Sequence, residues 1–454
     1  MKVYRPVIER AWKGMLGHLY ADGRLGCIEQ TGAEPASFRV TTSYTYGVGG
    51  FLLAGSEIHR MTLCGKEYVT ITGDRGLLAM SNVLSYEAPA RVNLIGEHTD
   101  YTGGLVMPMA IGFVTVATIS PRDDGMATFR SENYGETVEV VIADLTRAPK
   151  GHWSDYPVGV LWALQEAGLV VTGFDMVLKG DVPLGAGLSS SASIEVSTAM
   201  ALLGFCGATL ELVDLATACR RAENEFVGAK SGIMDQFVVA GGVKDRAMLL
   251  DCRSLEFELL PLPEEARIVI CNSMVRHEVS SAGEYGSRRD EIEAGQAVIQ
   301  RVLGIASLRD ATLEDLAKCK GEMSADIAAR CKHVITENAR VLAAREALRK
   351  GDLVEFGRIM IEAHASFRDD FAASCEEVDE LVEIARRQPG CLGARITGGG
   401  FGGCTVNLVE TAHAEAFTRA VRSEYEKATG KLADCFICAA TDGALALAAA
   451  KEAR

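Results

Sequence analysis

Apolar and polar positions along the chain follow two periods, and the order in which these change predicts its elements. Short apolar or alternating runs predict strands over residues 90–95, 111–119, 174–179, 405–409 and 436–440. Helical spacing predicts helices over 190–203, 210–225 and 413–428. The segment 288–388 reads as mostly helical, with apolar Ile292, Ala294, Val298 and Val302 three or four positions apart in the main. Residues 1 to about 80 differ in character. They are glycine-rich, with helical stretches at 7–20 and 49–61 around a loop at 32–35. There is no internal repeat and no low-complexity tract. Strand-rich and helix-rich stretches in succession predict an α+β protein of two lobes.

Composition narrows the function more than the fold. The 454 residues carry 46 Lys+Arg against 61 Asp+Glu, a net charge of −15, and 48% are hydrophobic. That hydrophobic content excludes disorder as the dominant state. The length predicts two or three core-forming units. An acidic chain does not suit a general nucleic-acid binder, which needs a basic face. No uncharged run of about 18 apolar residues predicts a spanning helix. The start, Met1-Lys2-Val3-Tyr4-Arg5-Pro6, lacks a signal peptide's apolar core, so a cytoplasmic protein with no membrane association is expected. The 13 scattered cysteines read as reduced thiols. Cys435-Phe-Ile-Cys438 has the spacing of a metal or redox pair, but no second pair accompanies it. Its apolar surroundings predict a buried strand instead.

Three segments carry candidate chemistry. In Asp181-Val-Pro-Leu-Gly-Ala-Gly-Leu-Ser-Ser-Ser-Ala-Ser193, a predicted strand gives way to a predicted helix. Gly185 and Gly187 allow positive φ and close approach of a ligand. Ser189, Ser190 and Ser191 stand where free N–H groups and the helix dipole favour an anion. No Gly-Lys-Ser/Thr follows, so this is not a Walker loop, and the third glycine of a dinucleotide fingerprint is missing. A serine-capped helix after a glycine turn explains the same residues, and the segment alone does not decide between the two. The second segment, Gly393-Ala-Arg-Ile-Thr-Gly-Gly-Gly-Phe-Gly-Gly-Cys404, spends more glycine than a tight hairpin needs, which predicts close passage by another group. The third, Ala88-Pro-Ala-Arg-Val-Asn-Leu-Ile-Gly-Glu-His-Thr-Asp100, sets Arg91, Glu97, His98 and Asp100 just after a strand. Carboxylates and an imidazole in such proximity suit the hydroxyls of a polyol, and equally a charged surface turn.

This third segment closely resembles the galactokinase signature, within the superfamily of galactokinases, homoserine kinases, mevalonate kinases and phosphomevalonate kinases. The serine-glycine loop is similar to that superfamily's phosphate-binding motif, and residues 393–404 to its third motif. Arg220-Arg-Ala-Glu-Asn-Glu-Phe-Val-Gly228 with Gly232-Ile-Met-Asp-Gln236 resembles the galactokinase catalytic stretch. Residues 271–289 and Ser366-Phe-Arg-Asp-Asp-Phe371 extend the likeness, which runs from about residue 86 to the C-terminus.

The resemblance implies a two-lobed small-molecule kinase fold with the active site between lobes 80–280 and 281–454. It implies transfer of the ATP γ-phosphoryl group to the C1 hydroxyl of α-D-galactose. Asp235 matches the catalytic base and Arg91 the cation beside it. Glu97, His98, Thr99, Asp100 and Tyr285 match the sugar site. The loop Gly185, Ala186, Gly187, Leu188, Ser189, Ser190 and Ser191 matches the nucleotide site, with Ser131 a weaker counterpart. Ser191 and Glu223 match Mg²⁺ ligands. The implied partners are ATP, Mg²⁺ and the sugar, with no obligate protein partner.

Ala90, Thr102 and Gly286 depart from the usual Gly, Asn and Asn of the family. Residues 10–61 instead resemble the C-terminal end of unsaturated glucuronyl/rhamnogalacturonyl hydrolases, α/α barrels whose catalytic acid lies upstream of this part. Residues 1–79 are therefore expected to be a short, mainly helical, non-catalytic extension, with Met80 a candidate native start. A sugar-binding sensor on the same fold is the competing class. Its relatives tend to lose part of the serine loop, whereas Ser189-Ser-Ser-Ala-Ser193 is intact here. A kinase for N-acetylgalactosamine or arabinose is a third reading.

Overall fold

A computed structural model of the chain describes residues 72–73, 83–183, 185–275 and 280–452, all within the compact unit Val69–Arg454. The expected helices at 7–20 and 49–61, and Met80, lie outside the described residues. Strands β1 (Thr72–Gly73), β2 (Leu84–Asn93), β3 (Leu105–Val106), β4 (Pro108–Pro121), β5 (Met126–Ser131) and β6 (Glu136–Val141) come first. They are followed by helix α1 (Asp155–Glu166), β7 (Phe174–Gly180), α2 (Ser190–Phe205), β8 (Ala208–Thr209) and α3 (Leu212–Arg221). A π-helical turn (Ala222–Val227) joins α3 to α4 (Met234–Gly241). Then come β9 (Arg246–Asp251), β10 (Phe257–Pro261) and β11 (Ala266–Asn272). A helical run follows: α5 (Ser280–Leu303), α6 (Leu313–Lys318), α7 (Ala325–Lys350), α8 (Leu353–Asp369) and α9 (Glu376–Arg387). The last elements are β12 (Cys391–Thr397), β13 (Cys404–Glu410), α10 (Ala414–Thr429), β14 (Asp434–Cys438) and α11 (Ala444–Glu452).

The expected α+β class is what the structure has. A five-stranded sheet in the order β2-β4-β7-β5-β6 is covered by α1 and α2, and a four-stranded sheet in the order β12-β13-β11-β14 is antiparallel throughout. Strand β11 precedes residue 280 yet lies inside the second sheet, so the chain crosses between halves earlier than the expected boundary. One apolar cluster joins the halves, with Val92 and Leu94 packed alongside Ile270, Phe356 and Val406. Among the described residues no helix is long and apolar enough to cross a membrane.

Two irregularities aim side chains at the site. Register between β2 and β4 shifts between Pro89 and Ala90, immediately before Arg91. Proline cannot donate to the ladder, and a bulge is where a sheet tolerates it. The strand predicted over 90–95 runs from Leu84 to Asn93, and Leu94 and Ile95 pair with Met107 beyond its end. The predicted helix over 210–225 likewise breaks into α3 and the π-turn. Strand β14 is an edge strand rather than a fully buried one. Cys435 is half-buried there, opposite Cys271, and both are free thiols.

Helix α8 packs on β12 through glycine. A Cβ on Gly357 would run into the Leu392 carbonyl, and one on Gly393 would meet the Gly357 backbone. This contact fixes the strand that leads into the second glycine-rich segment. Gly357→Ala gains helix propensity of about 1 kcal/mol. The obstruction is backbone and cannot swing aside, so a net loss of roughly 1–3 kcal/mol is expected. Urea denaturation should show a lower midpoint, and an unchanged or raised midpoint would mean that helix and strand separate freely.

Candidate active site

The site is assembled around Arg91 at the end of β2. Its Nε and Nη2 donate to Oδ1 and Oδ2 of Asp235 at 2.7 and 2.6 Å, and its Nη1 donates to the Gly187 carbonyl at 2.7 Å. The Arg91 backbone N–H reaches the Leu188 carbonyl at 3.2 Å. Asp235 stands in the first turn of α4, and the Ser189 hydroxyl also donates to it. One buried cation thus ties the strand, the glycine loop and the carboxylate together.

The glycine loop follows the local logic expected of it. Gly185 and Gly187 have φ of 71° and 74°, and Ser189 takes a left-handed conformation at 56° before α2 opens at Ser190. Ala186 and Leu188 are buried in the core and anchor the loop, while Gly185 and Gly187 are exposed. The second glycine segment passes close by, as predicted. A Cβ on Gly398 would lie 3.3 Å from the Gly187 carbonyl oxygen.

Between the second glycine segment, the turn after β2 and residues 228–232 lies a cavity of about 590 Å³, lined by Arg91, Glu97, His98, Asp100, Asp235 and Gly398–Phe401 among others. Asp100 is half-buried at the cavity wall, and its carboxyl is pushed up to about 6 by desolvation and the neighbouring Asp235 carboxylate. Gly232 makes room for it, since a Cβ there would overlap the Asp100 carboxylate. His98 adopts a φ of 60°. Its Nδ1 lies 3.0 Å from the Tyr101 hydroxyl, with the Phe371 ring 4.3 Å away. Burial, with His333 nearby, drives its pKa down to about 3, so the ring is neutral at ordinary pH. Thr99 departs from expectation. It is fully buried, with its hydroxyl 2.8 and 2.7 Å from the Gly96 and Leu105 carbonyls, so it braces the turn instead of facing the cavity. Tyr285 lies on α5 next to the cavity-lining Gly286, and its side chain lies outside the described residues.

Glu223 projects from the π-turn, a distortion that concentrates at functional positions. It accepts from Ser231 Oγ at 2.5 Å and Gln236 Nε2 at 2.8 Å, and hydrogen-bonds the Ser191 side chain as well. Burial raises its pKa, and it has no salt bridge among the described residues. A buried carboxylate beside a hydroxyl, with no basic side chain paired to it, is a donor set suited to a hard divalent cation. Ser131 ends β5 and accepts from the Tyr134 N–H at 3.2 Å. It shares a second hollow with Trp153, Tyr134 and Ser190, and the Tyr134 and Trp153 rings are near-parallel, 13° apart.

Sequence reasoning missed the buried polar residues behind this front. Glu195 on α2 accepts from Gln236 Nε2 at 2.9 Å, which links it to Glu223. Arg395 on β12 pairs with Glu97. On α7, Glu337 Oε1 accepts from the Gly96 N–H at 2.9 Å and His333 Nε2 lies 3.3 Å from the Glu97 carbonyl. A signal was present. Glu195 falls between Ala192 and Ala199 at helical spacing, a charge on a face that should be apolar.

Comparison with known proteins agrees with this geometry. The model "Galactokinase galactose-binding signature" matches residues 81–121, the strand and turn carrying Arg91 and Asp100. "GHMP kinases N terminal domain" matches 155–242 and "GHMP kinases C terminal" matches 344–427. A galactokinase of Roseiflexus sp. is 41% identical over 357 residues, covering 78% of this chain and 91% of that protein. The Homo sapiens galactokinase is 42% identical over 372 residues, covering 80% and 92%. The crystal structure of Lactococcus lactis galactokinase complexed with galactose superposes with a TM-score of 0.77 at 33% identity, covering 81% of this chain and 96% of that one. A mevalonate kinase at 19% identity and a TM-score of 0.55 shares the fold. With relatives this similar over nine-tenths of their own length, the chain belongs to the galactokinase family.

Proposed function

We propose that this protein transfers the γ-phosphoryl group of ATP to the C1 hydroxyl of α-D-galactose, giving α-D-galactose 1-phosphate and ADP. The observation that carries the reading is the Arg91–Asp235 fork, set where the turn of Glu97, His98 and Asp100 faces Gly398–Phe401 and tied to the first glycine loop through the Gly187 carbonyl.

Phosphoryl transfer asks a protein chiefly for positioning and charge neutralisation. Asp235 accepts the proton of the attacking hydroxyl, and Arg91 holds its two oxygens in place and balances their charge. Glu97 and Asp100 offer acceptors to sugar hydroxyls, neutral His98 adds a ring nitrogen, and Tyr285 completes the set. The backbone of Gly185–Ser191 and the start of α2 receive the triphosphate. Ser131, with Tyr134 and Trp153, takes the nucleoside end, where an aromatic wall suits a flat base. Ser191 and Glu223 would hold Mg²⁺, which supplies charge neutralisation on the phosphates.

The reading is tested by coupled ADP-release assays over galactose, glucose, N-acetylgalactosamine and arabinose. Galactose should be strongly preferred over glucose, because inverting one hydroxyl leaves buried polar groups unpaired, a difference worth up to about 10⁴-fold in kcat/KM. Comparable constants for glucose and galactose would refute it.

Replacing the base should separate chemistry from binding. In Asp235→Asn, kcat should fall by roughly 10²–10⁴-fold because an amide cannot accept the proton. Calorimetric galactose affinity should persist. Turnover at the parental rate would remove Asp235 from the role of base.

The raised Asp100 carboxyl sets a pH dependence. As pH falls through about 6, Asp100 takes up a proton and a sugar acceptor is lost, so kcat/KM for galactose should decline. His98, held near 3, stays neutral across that range and adds nothing to the limb. Asp100→Asn should abolish the limb around pH 6. The same midpoint in the variant would place the titrating group elsewhere.

A further inference from the structure

We infer that Arg395 is a positioning residue for the sugar site, holding the Glu97 carboxylate in the orientation that galactose meets. The inference rests on the galactokinase reading above. Arg395 is the largest fully buried side chain of the described residues. Its Nη2 pairs with Glu97 Oε2, and its Nη1 donates to the Leu94 carbonyl at 3.0 Å. Its Nε finds no acceptor among the described residues. Both contacts therefore fall on the segment that leads from β2 into the sugar turn. The other Glu97 oxygen accepts from Thr397 Oγ1 and the Gly398 N–H, each at 3.2 Å, so β12 grips the carboxylate from one side along its whole width.

Stability alone does not explain such a residue. A buried arginine–carboxylate pair contributes little or nothing over well-packed apolar side chains, because desolvation offsets the attraction. What the pair does supply is orientation, since Arg395 holds Oε2 while Thr397 and Gly398 hold Oε1, which together fix the carboxylate plane. Glu97 reaches the cavity while Arg395 does not, so the arginine acts through the carboxylate. The same strand continues into Gly398–Phe401, which line the cavity, and this ties the second glycine segment to sugar recognition.

Steady-state kinetics on Arg395→Met, Arg395→Lys, Glu97→Gln and the Arg395→Met/Glu97→Gln double variant test this. In Arg395→Met, galactose KM should rise about tenfold or more while ATP KM stays unchanged. Arg395→Lys, which keeps the charge but cannot hold Glu97 and the Leu94 carbonyl through separate nitrogens of one plane, should fall between Arg395→Met and the parent. The double variant should bind galactose no worse than Glu97→Gln alone. A folded Arg395→Met with parental galactose KM, an equal rise in both KM values, or additive losses in the double variant would overturn the inference. If Arg395→Met does not fold, Arg395→Lys decides it, and a parental galactose KM there would count against it. A parent chain that phosphorylates another sugar but not galactose would instead overturn the underlying reading.

Discussion

A single buried guanidinium sets the terms for the rest of the site. Arg91 commits three of its nitrogens in two directions, two to Asp235 and one to the Gly187 carbonyl. A planar guanidinium meets a carboxylate at two points only along one of its edges, here the one formed by Nε and Nη2. The first turn of α4 and the glycine loop must therefore both come to it. Leaving a charge of this kind half-paired in the interior would cost several kcal/mol, about as much as a small domain's whole margin of stability. The bulge at Pro89–Ala90 adjoins this residue, which is where a change of register can re-aim a side chain.

Behind the cavity the protein buries more charge than packing requires. Glu97 faces Arg395, Glu337 faces Arg340 at 2.7 Å, and Glu195 reaches Glu223 through Gln236. Hydrogen bonds from α7 hold the turn from its far side: Glu337 takes the Gly96 N–H, and Asn338 takes the Leu105 N–H at 2.9 Å. These bonds hold the turn against α7, although some atoms of the wider network, Arg395 Nε among them, find no partner among the described residues. Bracing is needed because the turn contains a strained residue, His98 in a left-handed conformation, which persists only where its surroundings over-determine it.

The parts legible in the sequence share one property: each is local. Glycines at 185 and 187 need no tertiary partner to announce a tight turn, and β7, α2 and β13 appear within one or two residues of the predicted ends. The signature at 88–100 named Arg91, Glu97, His98 and Asp100, and all four line the cavity. Thr99, equally part of that signature, turns inward. Motif membership does not say which way a side chain points, and here the carbonyls of Gly96 and Leu105 decided it.

By itself, then, the sequence determined the element types and the glycine loops, since periodicity and turn chemistry act over a few neighbouring positions, and its resemblance to galactokinases named the residues for a sugar and a triphosphate. The resemblance sets Arg91 beside Asp235; only the tertiary structure gave that pair its two-point geometry across 144 positions and decided that Arg395 meets Glu97 across nearly 300. It also placed β11 among the C-terminal strands, broke the helix at Ala222 and brought Glu337 up to the Gly96 N–H. These pairings depend on how sheets and helices stack, and a buried charge finds its partner only once that stacking has excluded water.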